Sequence, residues 1–233
     1  MVEEELNEEE FKFHYEWLEK SEEKDKKGKE QLNTNDYELK ILILASVLAD
    51  NDLSFTGTLK TMGEWLGVNA TKSTMKDNLK NAIKGLVNKG YIETKIVDKK
   101  ITIIITEKGL SDKKIYPLRK SWVQTMKKVK TTGLSVSWIQ LLKVWVYYEV
   151  SMKEKLMKKN QNKETITNKE IADALCINQS TVINAFKALG ELKYFGKYAE
   201  YKGKEVKRIQ IDADKYVTIG TIHDLRISAF EMN

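Results

Sequence analysis

Five polar side chains fall on one side of a predicted helix near residue 180. They are Gln179, Ser180, Thr181, Asn184 and Lys187. The amides of Gln179 and Asn184 have the donor and acceptor pair that matches an adenine edge in the major groove. Near a helix N-terminus, the hydroxyls of Ser180 and Thr181 can bind a phosphate together with backbone N–H groups. The set predicts contact with double-stranded DNA; the alternative is that Asn178 and Ser180 only cap the helix and the other side chains are solvated.

A lysine row marks a second predicted helix, about 100 residues earlier. Lys76, Lys80 and Lys84 recur at every fourth residue and so lie along one side of that helix. Lysine is a point charge without a rigid hydrogen-bonding fork, which favours phosphates over bases. The predicted contacts of this helix are Lys72, Ser73, Lys76, Lys80, Asn81 and Lys84, with Asn69 and Thr71 near its start. The alternative is an ordinary solvated lysine face.

Each of these helices is followed by two β-rich segments that predict a hairpin. The first pair, 91–97 and 101–106, is joined at Lys99 and Lys100, and the second, 194–201 and 206–211, at Lys202 and Lys204. A hairpin beside a DNA-binding helix can reach a flanking phosphate or the minor groove. Hairpin tips are also commonly charged simply because they are exposed.

The elements that position these side chains occur twice in the same order. A short amphipathic helix, 59–66 or 168–175, leads into a turn, then the longer helix and then the hairpin. The turns are Leu66-Gly67-Val68-Asn69 and Leu175-Cys176-Ile177-Asn178, and Gly67 suits a left-handed position that ends a helix. This order predicts two helix-turn-helix motifs, each with a hairpin wing. Six more residues separate the turn leucine from the helix-ending leucine in the first copy (66 to 86) than in the second (175 to 189), so we expect a longer helix or a loop there.

The predicted fold class is mainly α with small β-hairpins (α+β), as two winged helix-turn-helix domains in tandem. We expect an acidic helical arm and tether over 1–35, domain 1 over 36–106, a linker over 107–134, domain 2 over 135–217 and a tail over 218–233. Phe11, Tyr15 and Leu18 have the spacing of a short amphipathic helix in the arm, and Asp36 is a candidate N-cap of a core helix. A connecting helix is expected near Trp122.

Charge is unevenly distributed along the 233 residues, whose net charge is +6. Residues 1–30 hold twelve acids and six lysines, a local charge of −6, which leaves +12 on the rest of the chain. A basic body suits a polyanionic partner, because each neutralised phosphate releases condensed counterions. The alternative is a lysine-rich solvated surface with no such partner.

Several classes of protein do not fit this composition. No apolar run approaches the roughly 20 residues of a membrane helix, and the acidic start lacks the features of a secretory signal. The single cysteine, Cys176, fits a reducing compartment, so we expect a cytoplasmic protein without membrane contact; we expect its side chain to be small, buried and apolar in character. His14 and His223 are far apart, which predicts no metal site. With no phosphate-binding loop and no catalytic triad pattern, we expect neither a cofactor nor enzymatic activity.

With both motifs in hand, the chain resembles tandem winged-helix DNA-binding proteins of Gram-positive plasmids and phages. The resemblance lies in the architecture of residues 36–106 and 135–217. It implies a sequence-specific DNA-binding protein that regulates a mobile-element operon or acts at a conjugative transfer origin, with its two domains acting as an internal dimer. Self-association or a protein partner from the same element is also expected. The alternatives are a replication initiator that binds origin repeats and a winged-helix module that contacts protein.

Overall fold

The chain is a mixed α+β protein that divides into two compact units, residues 1–128 and 129–233, in this computed structural model. The structure describes residues 10–22, 24, 27–49, 54–68, 72–110, 114–128, 136–157, 166–191, 195–201, 204–212 and 215–219, with the backbone alone described from residue 190 onward. These residues form seven α-helices and three small antiparallel sheets. The mixed α+β class expected from the sequence is therefore confirmed.

The first unit combines four α-helices with five strands in its described residues. In chain order they are β1 (Glu10–His14), α1 (Asp36–Leu48), β2 (Ser54–Gly57), α2 (Leu59–Leu66), α3 (Ser73–Asn88), β3 (Ile92–Val97), β4 (Lys100–Ile105), β5 (Ile115–Arg119) and α4 (Lys120–Lys128). Short 3-10 helices follow β1 (Tyr15–Leu18) and β4 (Glu107–Leu110). Strands β2, β4 and β3 form one antiparallel sheet in that order.

Helix α1 is the centre of the first unit. Its apolar residues from Leu39 to Ala45 are buried, and the helix packs against α2, α3 and strands β2 and β4. The prediction of a core helix here is confirmed, but its cap is Asn35 and not Asp36. The Asn35 side chain accepts hydrogen bonds from the backbone N–H groups of Tyr37 and Glu38, and the Glu38 carboxylate accepts one from the Asn35 N–H. This reciprocal capping box fixes the start of the helix one residue earlier.

The N-terminal segment is a strand and a 3-10 helix, so the prediction of an amphipathic helix through Phe11, Tyr15 and Leu18 was wrong. Strand β1 pairs antiparallel with β5, about 100 residues away, and Phe11 lies opposite Leu118. Phe11 and Phe13 are buried on one side of the strand, while Lys12 between them is exposed. The buried Trp17 donates its indole N–H to the carbonyl of Gly109 at 3.0 Å. Residues 10–18 are therefore part of the first core.

An ion pair between the buried Glu38 and the exposed Lys89 fixes α3 against α1. Glu38, 3% exposed, accepts a hydrogen bond from Lys89 Nζ at 2.7 Å, and Lys89 Nζ also donates to the carbonyl of Asn33 at 2.8 Å. Gly85 leaves the space that the Glu38 carboxylate occupies, since a Cβ at this position would overlap Glu38 Oε1. The C-terminal end of α3 is thereby held on the core helix.

The second unit contains three helices followed by a sheet in its described residues. These are α5 (Trp138–Met157), α6 (Asn168–Ala174), α7 (Gln179–Glu191), β6 (Phe195–Tyr201), β7 (Lys204–Asp212) and β8 (Lys215–Ile219). Helix α5 packs on α6 and α7, with the rings of Tyr148 and Phe186 in edge-to-face contact at 5.7 Å. Strands β6 and β7 form the expected hairpin, and β8 adds a third strand that was not predicted. The tail beyond residue 219 lies outside the described residues.

Candidate nucleic-acid interface

The turn between α2 and α3 begins with a sharply ended helix. Thr58 and Thr61 form a reciprocal capping box at the start of α2. At its end, Gly67 has φ 70° and lies in the left-handed region predicted for it. The N–H of Val68 then donates to the carbonyl of Gly63 at 2.8 Å, which closes the last turn. A six-residue connection, 67–72, leads to α3; Asn69 and Thr71 lie outside the described residues.

Helix α3 has one buried side and one polar side. Leu79, Ala82, Ile83 and Leu86 are buried on one side of the helix. All six side chains predicted to contact DNA are exposed: Lys72, Ser73, Lys76, Lys80, Asn81 and Lys84. The helix has 16 residues against 13 in α7, so the extra length of the first copy is divided between a longer helix and a longer connection.

The lysine row of α3 forms no ion pair among the described residues. Within the part of the chain that the structure describes, the ion pairs involve other lysines, such as Lys89 with Glu38 and Lys60 with Glu64. One acidic residue, Asp77, is exposed on α3, and the Ser73 hydroxyl donates to it at 3.4 Å. Asp77 was missed from the sequence, although its i, i+4 spacing from Ser73 was a signal. Ser73 is thus partly engaged within its own helix.

The first hairpin is fixed to the end of α3 by backbone contacts. The N–H of Tyr91 donates to the carbonyl of Leu86 at 2.9 Å across the left-handed Gly90, as in a Schellman motif. Thr106, just after β4, donates its hydroxyl to the Gly90 carbonyl at 2.6 Å and its N–H to the Tyr91 carbonyl at 3.1 Å. The base of the hairpin is therefore fixed to the C-terminal end of α3.

The hairpin turn consists of two residues with positive φ, Asp98 at 48° and Lys99 at 63°. This is the type I′ geometry that matches the twist of a hairpin. Lys99 and Lys100 are exposed at the tip, as predicted, and Lys95 is exposed on β3. Ile96 and Val97 are also exposed, at 71% and 66%, and were not singled out from the sequence. Their position beside the turn was the available signal, because a hairpin tip extends beyond the core.

The second turn uses the same order of contacts with a different residue at its centre. Thr167 caps α6 through a reciprocal capping box with Glu170. Leu175 is buried, and Cys176 takes the left-handed conformation with φ 53°. Cys176 is exposed, so the prediction that its side chain is buried was wrong. The buried apolar residue of this turn is Leu175, which directly precedes the left-handed Cys176.

Helix α7 places its five predicted contact residues on or near the surface. Gln179, Ser180 and Lys187 are exposed, whereas Thr181 and Asn184 are half-buried. The opposite side is buried through Val182, Ala185, Phe186, Ala188 and Leu189. Because α7 has the same dual character as α3 and follows the same kind of turn, the two candidate surfaces are built alike. They differ in chemistry: α3 presents mainly cations and α7 mainly neutral polar groups.

The tip of the second hairpin is described only in part. Lys202 lies outside the described residues, and Lys204 begins β7 opposite Tyr201, with its backbone alone described. The predicted contacts of these two lysines therefore stay predictions.

A half-buried lysine joins α4 to α2 near the first turn. Lys127 Nζ lies 3.7 Å from the centroid of the Trp65 ring. Burial lowers the pKa of Lys127 to about 8. The ring face favours the ammonium form and acts in the opposite direction, but such a contact contributes only about 0.5–1 kcal/mol at exposed sites. A helix, α4, lies where the connecting helix was predicted, and Val123 and Met126 on it are buried; its connecting role stays a prediction.

Comparison with known proteins gives no relative: no protein-family model, curated protein or solved structure matches the chain. Among the described residues, no helix has the length and apolar character to cross a membrane. The same residues contain no group of three or more His, Cys, Asp or Glu side chains arranged to hold a metal ion.

Proposed function

We propose that the chain is a sequence-specific double-stranded DNA-binding protein without enzymatic activity, and that each unit is a winged helix-turn-helix domain. The observation that carries the proposal is the exposed lysine row of α3, followed directly by a hairpin whose base is fixed to the end of α3 and whose tip exposes Lys99 and Lys100. A helix and a hairpin that present cations together fit a groove and the phosphates that flank it.

The order of elements in the first unit supports this assignment. Helix α1, strand β2, helices α2 and α3, and strands β3 and β4 follow one another, and the sheet order is β2-β4-β3. In the second unit, α5, α6, α7 and the β6–β7 hairpin repeat the helical order, while the third strand, β8, follows the hairpin. In both units a hairpin follows directly after the third helix, the arrangement from which winged helix-turn-helix domains bind DNA.

The two exposed helix faces suggest different contributions to binding. The α3 lysines fit phosphates, whose neutralisation supplies affinity that does not depend on sequence. On α7, Gln179 and Asn184 fit base edges, and Lys187 supplies a cation one turn from Asn184. We therefore assign α3 mainly to affinity and α7 mainly to specificity. Because both units lie on one chain, binding of one unit to DNA raises the local concentration of the other unit near that DNA.

One observation favours a second candidate, a winged-helix module that contacts protein. Ile96 and Val97 expose most of their apolar surface at the hairpin tip, and β3 is an edge strand of its sheet. Apolar surface on an edge strand is a common route to association with another chain. The lysines beside this tip are equally exposed, which leaves DNA as the better-supported partner.

A selection experiment tests the main proposal. The full chain is incubated with a pool of random-sequence DNA duplexes at low salt, and bound duplexes are recovered, sequenced and footprinted. Enrichment of a defined sequence, protected on the selected duplex and outcompeting random DNA, is expected. Retention of duplexes without sequence enrichment would contradict specificity, and no retention at low salt would favour the protein-contacting module. Whether the protein acts at an operon, a transfer origin or a replication origin stays a prediction, which footprinting on the host element's intergenic DNA tests.

A further inference from the structure

An apolar side chain lies among the polar residues on the outer side of α7. Ile183 is 38% exposed, and its neighbours one turn away along the helix are Gln179 and Lys187, both exposed. Residues four apart lie on the same side of a helix, so the three side chains form one stripe. Ser180 and Asn184 form a second stripe beside it. Ile183 is thus placed inside the predicted DNA-contacting face.

The core of the second unit does not account for the position of Ile183. The inner side of α7 is formed by five other residues, all buried: Val182, Ala185, Phe186, Ala188 and Leu189. Phe186 fills the contact with α5 through its edge-to-face packing on Tyr148. A β-branched residue is also a weaker helix former than the Lys or Gln that surround it. Although packing covers the larger part of Ile183, 38% of its surface stays exposed and available to a partner.

The chemistry of this face matches one kind of base pair. An amide side chain can bond bidentately to the N6 and N7 atoms of adenine, and thymine places its C5-methyl group in the same groove. From Gln179 to Lys187 the helix rises about 12 Å, roughly the length of three to four base-pair steps. Ile183 lies between Gln179 and Asn184, the two residues that carry amides. When an amide contacts an adenine, Ile183 is therefore close to the thymine paired with that adenine or to a thymine in the next base pair.

We infer that Ile183 is a specificity-determining residue that packs against a thymine C5-methyl group in the major groove, so that α7 selects an A·T pair at that position. The inference rests on the proposed function and adds to it the kind of base pair selected. Gln179 and Asn184 contact adenine edges on either side of this apolar contact. The hydrophobic gain of one buried methyl group, roughly 0.8 kcal/mol, corresponds to about fourfold in affinity.

Uracil substitution tests the inference, because deoxyuridine lacks only the methyl group of thymidine. The probe is a duplex that the full chain has enriched from the random pool, together with versions in which each thymidine in turn is replaced by deoxyuridine. Binding is measured by fluorescence anisotropy for the wild type, for Ile183→Ala and for Val87→Ala. Val87 is a matched control, because it is an apolar residue exposed to a similar degree, 40%, on α3.

The wild type is expected to lose about fourfold in affinity when deoxyuridine replaces the thymidine at one position of the duplex. The Val87→Ala variant is expected to show the same loss at the same position. The Ile183→Ala variant is expected to bind thymidine and uridine duplexes equally, with unchanged affinity for random DNA. Wild-type binding that is indifferent to uracil at every position overturns the inference and leaves the proposed function intact. Discrimination that persists in Ile183→Ala also overturns it. If no duplex is enriched, the proposed function and the inference fail together. The wild-type arm needs no variant, so indifference to uracil overturns the inference even if a substitution affects folding.

Discussion

Removing the α3 lysine row is expected to change the salt dependence of DNA binding by a calculable amount. In a triple variant, Lys76, Lys80 and Lys84 are replaced by Gln, which keeps the side-chain length and removes three charges. Successive lysines are about 6 Å apart along the helix axis, so each lysine contacts at most one phosphate and no two lysines share one. Each lost phosphate contact lowers the slope of log K against log salt by about 0.9, which gives a total decrease of about 2.7.

The decrease in slope has a direct consequence for affinity. Between 50 and 200 mM salt, the advantage of the wild type over the triple variant should shrink by about 40-fold, since a fourfold change in salt is raised to the power of about 2.7. Fluorescence anisotropy on one random-sequence duplex over a salt series measures this. The loss should be the same on selected and random DNA, because phosphates carry no sequence information.

A charge-matched control separates contact from net charge. Lys12, Lys24 and Lys29 are exposed on the first unit but lie outside α3 and the β3–β4 hairpin, and replacing all three by Gln removes the same charge. This control should keep nearly the wild-type slope. Both variants should unfold at wild-type urea concentrations, because exposed substitutions rarely change stability by more than about 0.5 kcal/mol. Equal slopes for the wild type and the α3 variant would refute the assignment and leave the row as a solvated surface.

Three further outcomes are expected. Replacing Asn184 by Ala should weaken binding to the selected duplex by roughly 1–3 kcal/mol and spare random DNA, as measured by competition; an equal loss on both would contradict base contact by this amide. Gly67→Ala should lower the free energy of unfolding in urea by roughly 1–2 kcal/mol, because φ 70° disfavours an L-residue although a Cβ would meet no atom; an unchanged value would mean that the turn has moved out of the left-handed region. Because burial lowers the pKa of Lys127 from 10.5 to about 8, the unfolded chain binds more protons between these values, and stability should rise as pH increases from about 8 to 10.5. The Lys127→Met variant should not show this rise in the free energy of unfolding. A pKa of Lys127 near 10.5, measured by NMR, would contradict the prediction and show that the Trp65 ring offsets the effect of burial.

The helices around both turns were predictable because their determinants are local. The left-handed Gly67 is found where the sequence places it, and the caps Thr58 and Thr167 and the apolar side of α3 also depend on residues only a few positions apart. The same holds for the β3–β4 hairpin, whose two-residue turn joins strands adjacent in sequence. The exposed contact residues follow from this, since an amphipathic helix with a known buried side has a known outer side.

Non-local pairing explains the clearest error. Phe11, Tyr15 and Leu18 fit a helical stripe, but Phe11 and Phe13 also alternate with the exposed Lys12, so the short segment was compatible with both periods. The choice was made by β5, which supplies the backbone partners of β1 from about 100 residues away. No local pattern reveals such a partner.

The sequence by itself determined the two turn-and-helix motifs, their hairpins and the polar side chains presented by α3 and α7, because hydrogen bonds within a helix or a tight hairpin connect near neighbours. Only the tertiary structure decided which lysines are paired with an acid. Lys84 and Lys89 are both exposed near the end of α3, yet among the described residues Lys89 forms an ion pair, with the buried Glu38 on α1, and Lys84 forms none. It also decided that Ile183 lies outside the core, because burial depends on which elements pack together and not on the residue alone.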